Sequence, residues 1–283
     1  MLRYKRIFLG NQCSNNCLHC TYKREEPSLP DLASITSALA SDIKDGIELA
    51  GGEPTLRKDL SEIIHKCREH GYRRIKLITN GRSLSDIYFL ENLLKAGCQL
   101  FEIKLWGSHQ SLHDQLTRSP GSFFDTIRGM ENMLSLPQEK FICVRIQVCQ
   151  ENCADLENIV ATALSFGINR IIIARADLRL EIHTVLPHIH NAVNISILNR
   201  IWIITEGFPF CVMRGIEHHI GEIYTGWQDT GGTDIRHQDF CVECLFNELC
   251  PGVADTYISS FGSREFSPVR DTTYLDEIRK LNV

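Results

Sequence analysis

The stretch Asn11-Gln12-Cys13-Ser14-Asn15-Asn16-Cys17-Leu18-His19-Cys20 sets three thiols in C-x3-C-x2-C spacing directly after an apolar, strand-like run at residues 3–9. Three close cysteines can hold three irons of a [4Fe-4S] cube and leave the fourth iron open, whereas a four-thiolate site is closed. An open iron can bind a small molecule and pass it an electron. The spacing therefore points to chemistry more than to scaffolding, with half of a zinc knuckle as the bland alternative.

Outward from this loop, strand-like and helix-like patterns alternate to about residue 175, the signature of a parallel α/β sheet. Strands are expected near 3–9, 46–50, 73–79, 100–106, 140–149 and 169–175, and helices near 31–44, 58–71, 84–97, 122–136 and 153–166. Gly71, Gly97 and Gly167 stand where helix C-terminal stops belong. Six such strands make a partial (β/α)6 TIM-like barrel or a strongly curved open sheet. Ligands of these folds sit at the C-terminal strand ends, where Cys13 to Cys20, Gly51 to Pro54 and Thr79-Asn80-Gly81 fall.

The strand faces carry their own signal. In Phe101-Glu102-Ile103-Lys104-Leu105-Trp106 and in Phe141 to Cys149, apolar residues alternate with Glu102, Lys104, Arg145 and Gln147. If the apolar faces meet the helices, these polar side chains point into the barrel and imply an enclosed polar ligand. The alternative is a half-exposed sheet whose polar face meets solvent.

The cysteine triplet, followed by Gly51-Gly52-Glu53-Pro54 at the end of the second strand-like run, resembles the radical S-adenosylmethionine (SAM) enzymes. The resemblance implies that Cys13, Cys17 and Cys20 ligate a [4Fe-4S] cluster whose open iron chelates the amino and carboxylate groups of SAM. Reductive cleavage would then yield methionine and a hydrogen-abstracting 5'-deoxyadenosyl radical, with a flavodoxin or ferredoxin as reductant. Gly51, Gly52 and Glu53 are expected at the methionine end of SAM, since glycines permit close backbone approach and a carboxylate accepts from an ammonium. His19 departs from the family, which usually has Phe, Tyr or Trp before the third cysteine, although its backbone can still meet the adenine. Asn80 joins the cofactor-binding set by its place at a strand end. Lys104 stands where the family's fourth strand often has a small polar residue; Lys104 and Arg145 are expected to meet the SAM carboxylate or ribose, or the substrate.

A second cysteine group, Cys241, Cys244 and Cys250 in C-x2-C-x5-C spacing with Cys211 upstream, can enclose one further [4Fe-4S] cluster. It resembles the shortened "twitch" form of the SPASM domain, and structural zinc is the alternative. The expected organisation is a radical SAM barrel at about 1–200 and a small α+β iron-sulfur extension at about 201–283. A helix near 187–198 and a strand at residues 201–204 lead into that extension. Ala176 to Leu180 reads as the end of the sixth strand or a surface turn, and Gln228 to Thr233 as a turn-rich loop. Cys67 and Cys98 read as core residues, as do Cys143, Cys149 and Cys153. The histidines at 183, 188, 190, 218 and 219 match no ligand spacing.

Composition bounds the partners. The chain has 283 residues, with 30 basic against 35 acidic side chains and a net charge of -5. No basic block points to nucleic acid, no membrane-length apolar stretch occurs, and the first residues are too short for a signal peptide. A cytoplasmic protein is expected, and the clustering of its twelve cysteines fits a reducing compartment. An auxiliary cluster that accepts an electron from a substrate radical favours a net oxidation. The resemblance implies maturation of a ribosomally made peptide by a cross-link or thioether. The chain begins almost directly with the first strand, so recognition of such a peptide would fall to a separate protein or to direct leader binding. Oxidation of a small metabolite such as an aminocyclitol is the alternative. A non-catalytic iron-sulfur carrier or zinc-binding protein is the alternative of another class.

Overall fold

The computed structural model of the chain describes residues 4–20, 22, 28–40, 45–177, 180–225 and 235–271. Residue 3 of the first expected strand, 41–44 of the first helix, Leu178-Arg179 and the loop at 228–233 lie outside the described residues. The chain forms two compact units, Leu2–Ile146 with Asn158–Arg170 and Gln147–Glu157 with Ile171–Val283.

The first unit alternates strand and helix: β1 (Tyr4–Phe8), α1 (Leu32–Ala38), β2 (Gly46–Ala50), α2 (Leu60–Glu69), β3 (Ile75–Thr79), α3 (Ile87–Ala96), β4 (Leu100–Leu105), α4 (Gln110–Thr117), α5 (Ser122–Ser135), β5 (Phe141–Val148) and α6 (Leu156–Ser165). Each of β1 to β4 pairs in parallel with the next strand in the order of the chain. Phe101, Ile103 and Leu105 of β4 and Val144 and Ile146 of β5 are buried on one face, as the alternation predicts. The three expected stops hold: Gly71, Gly97 and Gly167 take φ of 87°, 105° and 69°, a left-handed conformation open to glycine. Asp86 caps α3 by accepting from the Tyr88 and Phe89 amides.

The opposite sheet face is ionic. Arg6 and Lys76 both pair with Glu48, at 2.9 and 2.6 Å, and Lys76 also lies 3.7 Å from Glu102. Glu102 closes the ladder by pairing with Arg145. Its carboxylate is 2% exposed, and although burial opposes ionisation, Arg145 and Lys76 hold its pKa down at about 2. The charged face that the sequence predicts is therefore largely neutralised within the protein rather than left to solvent.

Helix α4 was not legible in advance and has a specific task. Its last carbonyls lack intrahelical partners and accept from the cysteine loop: Asn16 N–H donates to Thr117 O at 2.9 Å and Leu18 N–H to Leu116 O at 2.8 Å. Asp114 of the same helix accepts from the Gly121 and Phe123 amides and the Ser122 hydroxyl, tying α4 to the start of α5.

The second unit carries β6 (Arg170–Arg175), α7 (Ile182–Asn199), β7 (Trp202–Glu206), α8 (Gly221–Thr225), the short antiparallel pair β8 (Ile235–Arg236) and β9 (Val253–Ala254), and α9 (Asp255–Phe261). β6 and β7 continue the strand order, so the sheet has seven strands, one more than the six expected. The run at 201–204, read as a lead into the extension, is that seventh strand. Helix α7 starts five residues before the expected 187, because Pro187 lies inside it rather than at its first turn and the Ile182 amide is met by the Tyr257 hydroxyl at 2.9 Å. Among the described residues no helix is long and apolar enough to cross a membrane.

His113 of α4 is 1% exposed and its Nδ1 accepts from the Trp106 amide at 3.4 Å. Burial lowers its pKa from 6.5 to about 4, so it is neutral where the unfolded chain's histidine is protonated. Stability is therefore intact above pH 6.5 and is lost as pH falls towards 4. Denaturant titration of the metal-free protein at pH 7 and pH 4.5 is expected to show a loss on the order of 2 kcal/mol that His113→Gln does not share.

Candidate functional site

The cysteine loop, the turn after β2 and the end of β3 meet within the first unit. Gly52 N–H donates to Gly10 O at 2.8 Å and Glu53 N–H to Gln12 O at 2.7 Å. A Cβ on Gly51 would stand 2.3 Å from Gly10 O, and one on Gly52 would stand 2.2 Å from Gln12 O. The two glycines thus let two stretches of backbone run against each other.

Glu53 is 3% exposed. Its Oε1 accepts from the Thr55 amide at 3.1 Å, the Thr55 hydroxyl at 2.6 Å and the Thr79 hydroxyl at 2.6 Å, while Oε2 accepts from the Asn80 amide at 2.6 Å. A carboxylate has about four acceptor positions. Those on Oε1 are taken, and Oε2 keeps a position beside the Asn80 contact for a further donor such as an ammonium.

Asn80 donates from Nδ2 to Ser14 Oγ at 2.9 Å and to Cys13 Sγ at 3.9 Å, next to the Asn15 amide that donates to the same sulfur at 3.4 Å. Arg82, absent from the sequence reading, reaches back to the loop. Its Nη1 donates to Ser14 O at 2.8 Å and Asn15 Oδ1 at 2.9 Å, and Nη2 pairs with Asp125 at 2.9 Å. Arg57 holds the base of the same turn, donating to Leu9 O and Pro30 O and pairing with Asp59 at 2.7 Å. These anchors come from residues far apart in the chain, so no local pattern announces them.

His19 stacks on Trp106 at a ring separation of 6.5 Å, and Lys104 lies 5.6 Å over the Tyr22 ring. Arg145 is engaged by Glu102. The site residues therefore gather as a group, with Lys104 near the thiols and Arg145 in the ladder. Burial pushes the Cys13 thiol up and that of Cys17 to about 12; the neighbouring cysteines add to the rise at Cys17, and Lys104 pulls both down. Without metal these thiols stay protonated, and metal binding would displace the protons. Three thiols on one short loop, held by backbone bonds and a sulfur-directed amide, fit the donor set of an iron-sulfur cluster with one open position.

With that geometry in view, a model of the radical SAM superfamily matches residues 7–162. The chain belongs to the radical SAM superfamily. The probable GTP 3',8-cyclase of Methanopyrus kandleri is 32% identical over 139 residues, which is 47% of this chain and 44% of that protein. The 7,8-dihydro-6-hydroxymethylpterin dimethyltransferase of Methanocaldococcus jannaschii is 35% identical over 109 residues, or 36% of this chain and 22% of that protein. The chain thus spans less than half the length of either relative. Among solved structures, anSMEcpe with bound AdoMet aligns over 99% of this chain and 96% of its own, with a TM-score of 0.64 and 13% identity. Streptococcus suis SuiB bound to precursor peptide SuiA aligns over 73% of this chain and 49% of its own, with a TM-score of 0.58 and 13% identity. At these identities the likeness establishes the fold, a curled parallel sheet with helices.

In the second unit, Cys211, Cys241, Cys244 and Cys250 line one pocket together with Pro209, Phe240 and Pro268. Cys244 N–H donates to Cys241 O at 2.9 Å, the tight turn that brings a C-x2-C pair to one side. The Cys250 sulfur accepts from the Phe210 and Gly252 amides at 3.5 and 3.4 Å. Burial pushes the thiols of Cys250 and Cys211 up to about 12 and about 11. Cys67 and Cys98 are fully buried in the first unit, as core residues.

Glu53→Ala would leave the buried Thr55, Thr79 and Asn80 donors without their acceptor. A loss of about 2–4 kcal/mol in the metal-free protein is expected by urea unfolding, and a change below about 0.5 kcal/mol would show that the carboxylate does not hold the site together.

Proposed function

We propose that this radical SAM protein is an oxidative modifying enzyme with two iron-sulfur centres. Cys13, Cys17 and Cys20 would hold the reductive cluster, Gly51 to Glu53 the methionine end of SAM, and Cys211, Cys241, Cys244 and Cys250 an auxiliary cluster. When bound, the reductive cluster and SAM supply a 5'-deoxyadenosyl radical that removes hydrogen from substrate. The protein's own residues position these groups: Arg82, Asn80 and α4 fix the loop, and Glu53 fixes the turn that faces it.

The observation that carries the oxidative reading is the four-thiol pocket. Cysteines 30 or more residues apart converge there with Cys211. Four thiolates complete a cluster's ligation, which suits electron storage rather than substrate binding. A peptide is the preferred substrate, supported by the fold shared over nearly the whole chain with anSMEcpe, which has been solved with bound AdoMet and peptides. The small-metabolite reading draws support from the relatives named as a GTP cyclase and a pterin dimethyltransferase, whose names place their chemistry on small heterocycles.

Anaerobically reconstituted protein with dithionite and SAM is expected to form 5'-deoxyadenosine, and Cys17→Ala is expected to form none. Cys241→Ala/Cys244→Ala is expected to keep this cleavage while losing about half the bound iron and all substrate oxidation. Iron content unchanged in the double variant would refute the auxiliary site. A mass change in a supplied precursor peptide, or in GTP, separates the two substrate readings.

A further inference from the structure

We infer that Asn80 is a positioning residue that acts on the N-terminal cluster through Cys13, its side-chain amide donating to the ligand sulfur and raising the cluster's reduction potential. It can do so only if the three thiols hold a cluster, the reading proposed above.

The orientation of the amide follows from its partners. Oδ1 accepts from the Arg82 backbone N–H at 3.0 Å, so the NH2 end must be the one that faces Ser14 and Cys13. One hydrogen meets Ser14 Oγ at 2.9 Å, and the other is left for Cys13 Sγ at 3.9 Å. The backbone is pinned at both ends: the Asn80 amide donates to Glu53 Oε2 at 2.6 Å, and its carbonyl accepts from the Thr126 hydroxyl at 2.9 Å. Every polar group of Asn80 is thus engaged by protein, and the residue is 7% exposed. This rigid placement makes it a fixed dipole at one ligand sulfur rather than a mobile SAM ligand. A second donor, the Asn15 amide at 3.4 Å, serves the same sulfur.

An electron added to the cluster spreads negative charge onto its sulfurs. Donors aimed at a sulfur stabilise the reduced form more than the oxidised form, so the potential rises. Asn80→Asp keeps the Oδ1 acceptor for Arg82 but turns an acceptor and a negative charge towards Cys13. Asn80→Ala removes the side-chain amide altogether.

The test is a potentiometric titration of the reconstituted protein followed by electron paramagnetic resonance without SAM, reading the signal that Cys17→Ala removes. Both variants are expected to shift its midpoint to more negative potential, Asn80→Asp further than Asn80→Ala. Midpoints equal to wild type in both would overturn the inference while leaving the cluster assignment standing. A wild type that yields no such signal despite loaded iron would instead overturn the cluster assignment. Should the variants fail to load iron, wild-type protein labelled with asparagine carrying 15N in the side chain decides the matter. A 15N coupling to the reduced cluster by electron-nuclear double resonance that persists in Asn11→Asp, Asn15→Asp and Asn16→Asp protein supports the contact, and its absence refutes it.

Discussion

The site depends on one buried negative charge. Glu53 enters from the turn after β2, yet two of its acceptor contacts go to Thr79 and Asn80 at the end of β3. The same turn is bonded through Gly52 and Glu53 amides to the backbone of the cysteine loop. A carboxylate in this position needs several donors to offset its lost hydration, and the chain supplies them from its own turn and from the next strand. The consequence is that three chain segments cannot move independently. The path of the cysteine loop is therefore fixed by hydrogen bonds that do not involve metal.

Much of this was legible in the sequence, for a physical reason. Strand and helix periods, the glycine stops and the cysteine spacings are local, and the strand-like runs at 46–50 and 73–79 contain β2 and β3. What escaped was of two kinds. Gln110 to Thr117 is short and polar, with few apolar positions to show a period, and its stability comes from Asp114 and from the loop it receives. Arg82, Ser14, Thr126 and Asp125 were invisible because their contacts span some 43 to 68 positions in the chain. The backbone that Gly51 and Gly52 lie against, at Gly10 and Gln12, was invisible for the same reason.

The ionic face of the sheet was foreseen as charged but not as paired. Glu48 and Glu102 each take two cations, and Tyr4 adds its ring beneath Lys76 at 4.7 Å. A paired ladder of this kind is weak evidence for stability, because desolvation offsets much of the attraction. Its effect is better described as orientation. Arg145 and Lys76 are held by carboxylates, so they contribute a fixed field rather than mobile ligands. Lys104 differs, for its ammonium rests over an aromatic ring near the cysteine loop, where its charge favours thiolate over thiol.

The two cysteine groups differ in how their surroundings treat charge, and that difference bears on what each can do. Around Cys13, Cys17 and Cys20 lie an ammonium, amide donors and a carboxylate with one position open, a polar setting that can receive a zwitterionic ligand. Around Cys211, Cys241, Cys244 and Cys250 lie Phe240, Pro209, Val253 and Pro268, with His237 and Asn247, and Phe240 in turn stacks on Phe266 at 6.0 Å. Among the described residues this lining holds neither carboxylate nor ammonium, so it offers less to a zwitterionic ligand than the first group does. Four donors can complete the ligation of a metal centre and three leave a position open, so of the two groups only the first is suited to receive a further ligand at its metal.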